Sequence, residues 1–293
     1  MDILRLVEKT PSVKSPGKAG KIFPALLLLS CLCQVISAQN LYDLDHSKEY
    51  GKYLFDTQQY KLSAEEWERV LFMLPSNDTA RYMVVRSYLL GRDYNRATTK
   101  IKQLFPDPVQ MPGAYASSYA KSLILLDSLQ PVEFLIRNNK FLSEEDVLYL
   151  GFNIELYRNW DQATELFSDQ EKSITAIDPR YSEIIGMIKS KSPKNPWLAG
   201  GMSMIIPGTG KIYAGEWKDG LISLFFVGAT VFQSIRGYNL YGPRSGFFIT
   251  YGSIATAFYL GNIYGSFRSA IRHNNKYENR IKDQIHSVFL DHL

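Results

Sequence analysis

Residues 60–75, YKLSAEEWERVLFMLP, and residues 94–106, YNRATTKIKQLFP, share a pattern that decides the fold of the first half of the chain. Tyr60 aligns with Tyr94 at a spacing of 34 residues, and a small residue follows three positions later in each segment. Apolar side chains recur in the first segment at helical intervals, for example at Trp67, Leu71 and Leu74. Because repetition at a period of this length indicates stacked supersecondary units, the sequence predicts helical hairpins.

A third segment, LGFNIELYRNWDQATELF at residues 150–167, carries the pattern more fully. It contains a Leu-Gly pair and then an aromatic, an alanine and an aromatic, at Leu150, Gly151, Trp160, Ala163 and Phe167. The corresponding positions of the first unit are Gly51, Trp67 and Pro75. These residues resemble the tetratricopeptide repeat family, with residues 114–139 as a degenerate unit. The resemblance covers about half of the chain and implies an all-α solenoid over residues 41–190, in which the glycine lets a neighbouring helix approach.

Two helix starts are also predicted within this region. Ser63 to Glu66 fits a capping box that starts a helix at residue 64, and Ser143 to Asp146 fits one just before the Leu150 helix.

Tyrosines concentrate in the predicted first helices of the repeats. Aromatic anchors supply much of the binding energy at protein interfaces. The resemblance therefore implies a concave groove for a protein partner, with the candidate residues Tyr50, Tyr53, Tyr82, Tyr88, Tyr115 and Tyr119. The alternative is that most of these rings pack between helices.

Residues 1–38 fit a Sec-type signal peptide, with basic residues, a short apolar core and the small pair Ser37–Ala38. Cleavage after Ala38 would remove both cysteines, Cys31 and Cys33, so that the mature chain would have no disulfide or cysteine metal site. An uncleaved anchor or lipidation at Cys31 are the alternatives. The signal indicates a bacterial envelope protein whose repeat domain lies in the periplasm.

Composition excludes several function classes. The net charge of +4 is not gathered into a strong basic run, so nucleic acid is not indicated as a partner. The four histidines are scattered without a metal-ligand spacing, and no acid-base pair or nucleophile set is recognisable. The chain is therefore predicted to be no enzyme and to need no metal or cofactor.

After a linker at 191–196, the composition changes sharply. Residues 221–235 and 245–267 carry no charge, and the second run is long enough to span a bilayer whereas the first is marginal. Residues 197–206 form a shorter apolar run, typical of a re-entrant segment. Small residues suited to helix contact in lipid occur throughout, including Gly261 and Gly265. The sequence predicts a membrane hairpin module over residues 197–267, with a soluble helical core as the alternative.

The run IIPGTGKIYAGEWKDG at residues 205–220 is not a phosphate-binding loop, because Ile205 and Ile212 replace the first glycine and the hydroxyl of that motif. It resembles instead the hairpin module of small bacterial membrane proteins that carry Pro-Gly-x-Gly-x-x-Tyr-x-Gly before a span. The matching residues are Pro207, Gly208, Gly210, Tyr213, Gly215 and Gly220. The resemblance implies a structural bend, and Pro207 breaks the helix before it.

The number of crossings decides where the basic tail, residues 268–293, lies. Two spans plus a re-entrant segment leave the tail on the side of the repeats, whereas three spans move it to the cytoplasm and satisfy the positive-inside tendency. We favour two spans. The tail has apolar residues at helical spacing and is predicted to bind anionic lipid, a partner or the chain itself.

The leading hypothesis is a non-enzymatic adaptor, held at the bacterial inner membrane, that recruits an unidentified protein partner through its repeats. The alternative makes the membrane module the active part, assisting membrane-protein insertion, assembly or transport. The oligomeric state does not follow from the sequence.

Overall fold

The computed structural model describes residues 43–293, which form 13 α-helices and one short 3-10 helix, without a β-strand in that range. The predicted all-α class is confirmed. The signal peptide and Cys31 lie outside the described residues.

The chain forms two compact units, one ending at Pro106 and the other spanning Asp107–Leu293. The described part of the first unit contains four helices, α1 (Leu44–Asp56), α2 (Tyr60–Met73), α3 (Asp78–Leu90) and α4 (Tyr94–Leu104). Three of them, α1, α3 and α4, follow a capping residue whose side chain accepts a hydrogen bond from a backbone N–H of the first turn. The capping residues are Asp43, Asn77 and Asp93. Their apolar faces share one core, built from Ala64, Trp67, Val70, Ala80, Val84, Tyr88 and Ala97.

The small residues of the repeat pattern occupy buried positions. Ser63 and its aligned residue Ala97 are both fully buried. Ser63 does not cap a helix, because α2 already begins at Tyr60, and the prediction of a start at residue 64 is wrong. Its hydroxyl instead donates to the Gly51 carbonyl at 3.0 Å, which ties α1 to α2.

The two glycines of the pattern differ in their surroundings. A Cβ on Gly51 would lie 3.0 Å from the Trp67 ring, so this position requires a small residue. A Cβ on Gly151 would meet nothing within 4 Å. The expectation that Gly151 admits a neighbouring helix is therefore wrong, because a side chain at this position would touch no other helix among the described residues.

Three hairpin turns in the described chain repeat the same backbone conformation. Gln58, Arg92 and Asp127 have φ values of 60°, 60° and 55°, and each is the second residue of a three-residue turn between helices. The residue after each of them donates its N–H to a carbonyl five positions back, at 2.8–2.9 Å. The third turn lies in the unit that the sequence marks as degenerate. The turn thus recurs at spacings of 34 and 35 residues through the degenerate unit. The unit at residues 150–167 lacks it, because only Asn159 separates the two helices there.

Replacing Arg92 with glycine is expected to stabilise the chain by about 1 kcal/mol, because a left-handed conformation is costly for a residue with a Cβ. Arg92 is exposed, so little packing is lost. Thermal unfolding followed by circular dichroism measures the effect. Lys52→Gly, at an exposed position inside α1, is the matched control and should destabilise by about 1 kcal/mol. Equal destabilisation by both changes would contradict the argument.

The second unit begins with a 3-10 helix at Pro108–Gln110 and contains nine α-helices. They are α5 (Gly113–Leu125), α6 (Leu129–Asn138), α7 (Glu144–Arg158), α8 (Trp160–Ile177), α9 (Arg180–Lys189), α10 (Pro196–Ile205), α11 (Thr209–Tyr213), α12 (Trp217–Tyr241) and α13 (Gly246–Asp291). At the start of α7, Ser143 accepts from the Asp146 N–H and donates to the Asp146 carboxylate, so the capping interaction predicted there is confirmed.

Helix α13 runs without interruption for 46 residues. Its last turns are not a free amphipathic tail, because Ile281, Ile285, Val288 and Phe289 are buried against α7 and α9. Of the three roles predicted for residues 268–293, packing against the chain itself is the one observed. The division between compact units falls after Pro106, and the helices on both sides of the linker 191–196 belong to the same unit.

Candidate functional site

The Pro-Gly-x-Gly run forms a tight bend between α10 and α12. Gly208 has a φ of +89°, and a Cβ there would lie 2.0 Å from the Gly220 carbonyl oxygen. A Cβ on Gly210 would lie 1.8 Å from the Ala199 carbonyl oxygen of α10. Both positions therefore require glycine, one for its backbone angle and both for the close approach of other backbone.

The amides of this bend bind within the chain. The N–H groups of Lys211 and Ile212 both donate to the Gly208 carbonyl at 3.1 Å, and the Gly210 N–H donates to the Ser203 hydroxyl at 2.9 Å. A phosphate-binding loop needs such amides free and pointing at the ligand. The geometry thus agrees with a structural bend.

A buried polar network holds α10 against α13. The hydroxyls of Ser203 and Ser266 lie 2.7 Å apart, and Ser266 donates to the Asn262 carbonyl at 2.8 Å. The Asn262 amide nitrogen reaches the Ser203 carbonyl only at 3.5 Å. Asn262 is buried, at 4% exposed, and its side-chain oxygen has no hydrogen-bond partner among the described residues. This amide is the least satisfied polar group of the network.

Lys211 lies between α12 and α13. Its ammonium donates to the Ser223 hydroxyl at 2.8 Å, and its Cε would lie 3.2 Å from a Cβ on Gly265. Lys211, Ser223, Gly261 and Asn262 line a cavity of about 200 Å³ together with apolar side chains of both helices. A Cβ on Gly261 would meet nothing within 4 Å, so this glycine borders space and not another helix.

Other residues of the bend contact the part of α13 that follows its uncharged stretch. The Tyr213 hydroxyl accepts from the Asn195 N–H at 3.2 Å, and Gly215, with a φ of +88°, faces His273. Arg272 donates to both carboxylate oxygens of Glu216, at 2.8 and 3.0 Å, and Ser269 donates to the same carboxylate at 2.5 Å. Burial raises the pKa of Glu216, but the hydrogen bonds from Arg272 and Ser269 outweigh it and leave the pKa below its usual value.

Further along, α13 is bound to the segment that precedes α10. Asn274 pairs with the backbone of Lys194 in both directions, at 2.8 Å each. The Tyr277 hydroxyl donates to the Met187 carbonyl at 2.8 Å, and Lys191 forms an ion pair with Glu278 at 2.7 Å. Residues 187–194 and 274–278 are therefore fixed side by side.

The end of α13 meets a buried carboxylate at the start of α9. Asp178 is 6% exposed and accepts hydrogen bonds from the Arg180 guanidinium, at 2.6 Å for the shortest, and from His292 Nε2 at 2.9 Å. The hydrogen bonds from Arg180 hold the pKa of Asp178 well below its usual range, against the opposing effect of burial.

Acid is expected to remove the contribution of Asp178 to stability. Because its folded-state pKa is depressed, the contribution is present above the unfolded pKa of about 3.9 and is lost as the pH falls below it. Asp178→Asn should lower the free energy of unfolding by about 2 kcal/mol at pH 7, with a difference that shrinks below about pH 4. Denaturant titrations at several pH values measure this. Asp169→Asn, on the exposed face of α8, should change stability by less than about 0.5 kcal/mol at pH 7. A difference independent of pH would contradict the prediction.

A band of exposed apolar side chains covers α10, α12 and the first half of α13. Its most exposed members are Trp197, Ile205, Phe225, Phe232, Leu240, Tyr241, Leu260 and Tyr264. The band ends at Tyr264, and no large apolar side chain after it is exposed.

One described helix, Trp217–Tyr241, is long and apolar enough to cross a membrane, and only 28% of its most apolar window is buried. The prediction that residues 245–267 are the better span is wrong, because α12 and not α13 has the required length and hydropathy. Residues 246–266 include many glycine, serine, threonine and tyrosine residues, which lower the hydropathy of an uncharged run.

The six candidate groove tyrosines have different environments. Tyr88 and Tyr119 are buried, so neither lines an open groove and their prediction as groove residues is wrong. Tyr115 is half-buried. Tyr50 and Tyr53 are 52% and 57% exposed, with stacked rings 6.4 Å apart, and Tyr82 is 38% exposed. Tyr50, Tyr53, Tyr82 and Tyr88 belong to the first unit and the other two to the second.

The structure brings together polar groups that no sequence motif indicates. Ser203 lies 59 and 63 residues before Asn262 and Ser266, and only Asn262, in an otherwise apolar stretch, is a visible signal in the sequence. Lys211, Glu216 and Lys218, the charged residues around the bend, contact Ser223, Arg272 and the Trp217 ring respectively. Within residues 43–293, no group of three or more His, Cys, Asp or Glu side chains is arranged to hold a metal ion. Comparison with protein-family models, with curated proteins and with solved structures gives no match for this chain.

Proposed function

We propose that this chain is a non-enzymatic adaptor of the bacterial envelope, anchored by residues 197–267 and recruiting a protein partner through tetratricopeptide-like repeats. The observation that carries the anchoring is the apolar band on α10, α12 and the first half of α13. A soluble helical core would bury such a helix, whereas most of the apolar window of α12 is exposed.

The dimensions of the two long helices support a hairpin. Helix α12 has 25 residues and is roughly 37 Å long at a rise of ~1.5 Å per residue. The part of α13 up to Tyr264 is roughly 28 Å long by the same rise. Both lengths fit a hydrocarbon core of about 30 Å. The Arg272–Glu216 ion pair lies just past this stretch, where charged groups meet water or lipid headgroups.

The contacts of α13 favour two crossings over three. Residues 187–194 are hydrogen-bonded to residues 274–278, so both segments lie on one side of any membrane. The chain between them then crosses an even number of times. Helix α10 has ten residues, about 15 Å, and is too short to span, which agrees with a re-entrant segment. The predicted signal peptide favours the periplasmic side of the inner membrane for the repeats, and the basic residues of α13 are an exception to the positive-inside tendency.

Cysteine labelling tests this topology. Single cysteines at Glu171, Ser287 and Arg244 are introduced into the full chain, and a membrane-impermeant maleimide is added to intact spheroplasts. We expect residues 171 and 287 to be labelled and residue 244 to be protected until the membrane is opened. The parent chain reports any background from Cys31 and Cys33. Opposite results for residues 171 and 287 would overturn the two-crossing topology.

The exposed aromatic pair on α1 supports partner binding. Tyr50 and Tyr53 are stacked in water, and amphipathic rings of this kind often anchor interfaces. A photoreactive amino acid at Tyr53 should crosslink to one partner protein in living cells, and Tyr50→Ala should reduce that crosslink. Phe134, exposed on α6, is the control position. Crosslinks of equal yield at both positions, or none at Tyr53, would contradict the adaptor function.

Truncation cannot separate the two hypotheses, because removing residues 191–293 would strip Phe289 and its neighbours from the core of the second unit. Point variants do so instead. If the membrane module is the active part, assisting insertion, assembly or transport, Lys211→Met should abolish the cellular phenotype while the Tyr53 crosslink persists. If the chain is an adaptor, the double variant Tyr50→Ala with Tyr53→Ala should abolish the cellular phenotype.

A further inference from the structure

A groove runs between α12 and α13 in the part of the hairpin nearest its tip. It has a volume of about 860 Å³ and opens onto the apolar band, where its lining residues Ile235, Ile249 and Leu260 are exposed. The α13 side consists largely of small residues: Gly252, Ser253, Ala255, Thr256 and Ala257. Small residues let another helix approach closely within a membrane, but they do not by themselves identify a ligand.

The groove also contains a buried hydroxyl without a partner. Ser234 of α12 lines the groove and is 8% exposed, and a Cβ on Gly252 would lie 3.2 Å from its Oγ. This hydroxyl forms no hydrogen bond among the described residues, and unlike the hydroxyl of Thr175 it is not sealed from the surroundings. Thr230 and Thr256 instead donate to carbonyls of their own helices, at 2.8 and 2.9 Å. Ser234 can therefore bond to a group that enters the groove.

The depth of Ser234 decides which group can reach it. Its neighbour Gly252 lies about 9 Å from the start of α13 and about 18 Å from Tyr264, at a rise of ~1.5 Å per residue. Within a hydrocarbon core of about 30 Å, this position is below both headgroup layers. Lipid esters and phosphates lie outside that depth, and acyl chains have no hydrogen-bonding group. The backbone of a spanning helix is already paired, so the partner group is a polar side chain.

The groove continues an interface that exists within the chain. Closer to the tip, α12 and α13 are in direct contact, because a Cβ on Gly237 would lie 2.5 Å from the Phe247 ring and 3.1 Å from the Phe248 nitrogen. The groove opens where this contact ends. Two helices side by side leave a concave seam, and the ridge of side chains on a third helix fits such a seam. The same groove on a second copy is also concave and does not fill it.

We infer that the groove between α12 and α13 binds one transmembrane helix of a partner membrane protein, through a hydrogen bond between Ser234 and a hydroxyl or amide side chain of that helix. This rests on the proposal that residues 197–267 lie in the membrane. It gives the membrane module a partner of its own, in addition to the partner of the repeats.

Photocrosslinking to a synthetic helix tests the inference. The full chain is reconstituted into phosphatidylcholine vesicles with a single-span leucine-alanine peptide. The peptide carries one asparagine about six residues from one end of its apolar stretch, and a diazirine-bearing leucine beside it. We expect crosslinks to the residues that line the groove. A matched peptide with leucine in place of asparagine should crosslink about fivefold less, the effect of one interhelical hydrogen bond in a membrane.

Matched variants separate the hydrogen bond from the shape of the groove. Ser234→Ala should lower crosslinking of the asparagine peptide about fivefold and leave that of the leucine peptide unchanged. Thr230→Val removes a hydroxyl that bonds only within its own helix and should change neither. Ala257→Phe, at an exposed lining position, should block both peptides, whereas Ala229→Phe, exposed on α12 outside the groove, should block neither.

Three outcomes would overturn the inference. They are equal crosslinking of the two peptides to the parent chain, equal losses for both peptides in Ser234→Ala, and association of two differently tagged copies that Ala257→Phe abolishes, which would assign the groove to a second copy. Carbonate extraction of the same vesicles distinguishes such a failure from failure of the anchoring proposal. A chain that stays in the membrane without discriminating between the peptides refutes only the helix site, whereas a chain released by carbonate refutes the anchor.

Discussion

Replacing Gly210 with alanine is expected to destabilise the second unit by about 3 kcal/mol or more, the upper range for overpacked positions. The added Cβ would lie 1.8 Å from the Ala199 carbonyl and 2.8 Å from the Ser203 hydroxyl. The first of these atoms is backbone and cannot rotate away, so α10 would have to move off the bend. That movement would also break the Gly210–Ser203 hydrogen bond and loosen the contact with Ser266. Thermal unfolding of the full chain in detergent micelles, followed by circular dichroism, measures the loss.

Gly201→Ala is the matched control, because Gly201 lies on α10 and a Cβ there would meet nothing within 4 Å. Alanine has the higher helix propensity, so this variant should be stabilised by up to about 1 kcal/mol. Glycine-to-alanine substitution is thus expected to raise stability at one position and to lower it at another nine residues away. Equal stability of the two variants would show that α10 does not pack on the bend as described.

Phe289→Ala should destabilise the chain by about 3–5 kcal/mol, as is typical for removing a fully buried aromatic ring. Phe289 is fully buried, and its ring lies 5.8 Å from those of Tyr149 and Tyr157. Its loss leaves a cavity where the end of α13 meets α7. Amide hydrogen exchange should become faster in α7 and α9, which pack on the C-terminal end of α13. It should change little in α12, which packs on the N-terminal half of α13.

Phe134→Ala removes the same ring from an exposed position on α6 and should change stability by less than about 0.5 kcal/mol. A similarly small effect of Phe289→Ala would mean that the last turns of α13 are detached in solution. The free amphipathic tail considered from the sequence would then become the better description.

Local rules predicted the parts of the fold that depend on neighbouring residues. The helix start at Ser143 followed from a hydroxyl and a carboxylate three residues apart, and the bend at Pro207 from a missing amide and adjacent glycines. The start predicted at residue 64 failed because Ser63 has a partner from outside its own helix, the Gly51 carbonyl. A capping pattern in the sequence does not reveal whether its hydroxyl is used by another helix.

The candidate site was only half predictable for the same reason. The glycines of the bend are recognisable as a motif, but the reason for Gly210 is the Ala199 carbonyl of a different helix. Tyr88 and Tyr119 look like Tyr50 and Tyr53 in the sequence and differ only in burial, which depends on the helices packed against them. Asn262 and Lys211, 51 residues apart, share a cavity because α12 turns back onto α13.

By itself the sequence determined that the chain is helical, that small residues recur at a spacing of about 34 residues, and that a glycine bend precedes an apolar helix. These features follow from periodicity, caps and backbone freedom, which act within a few residues. Only the tertiary structure decided that one 46-residue helix joins the apolar band to the core of the second unit, and that its basic end is bound to α7 and α9. The physical reason is that burial and hydrogen bonding between distant segments depend on which faces meet, and no local pattern encodes that choice.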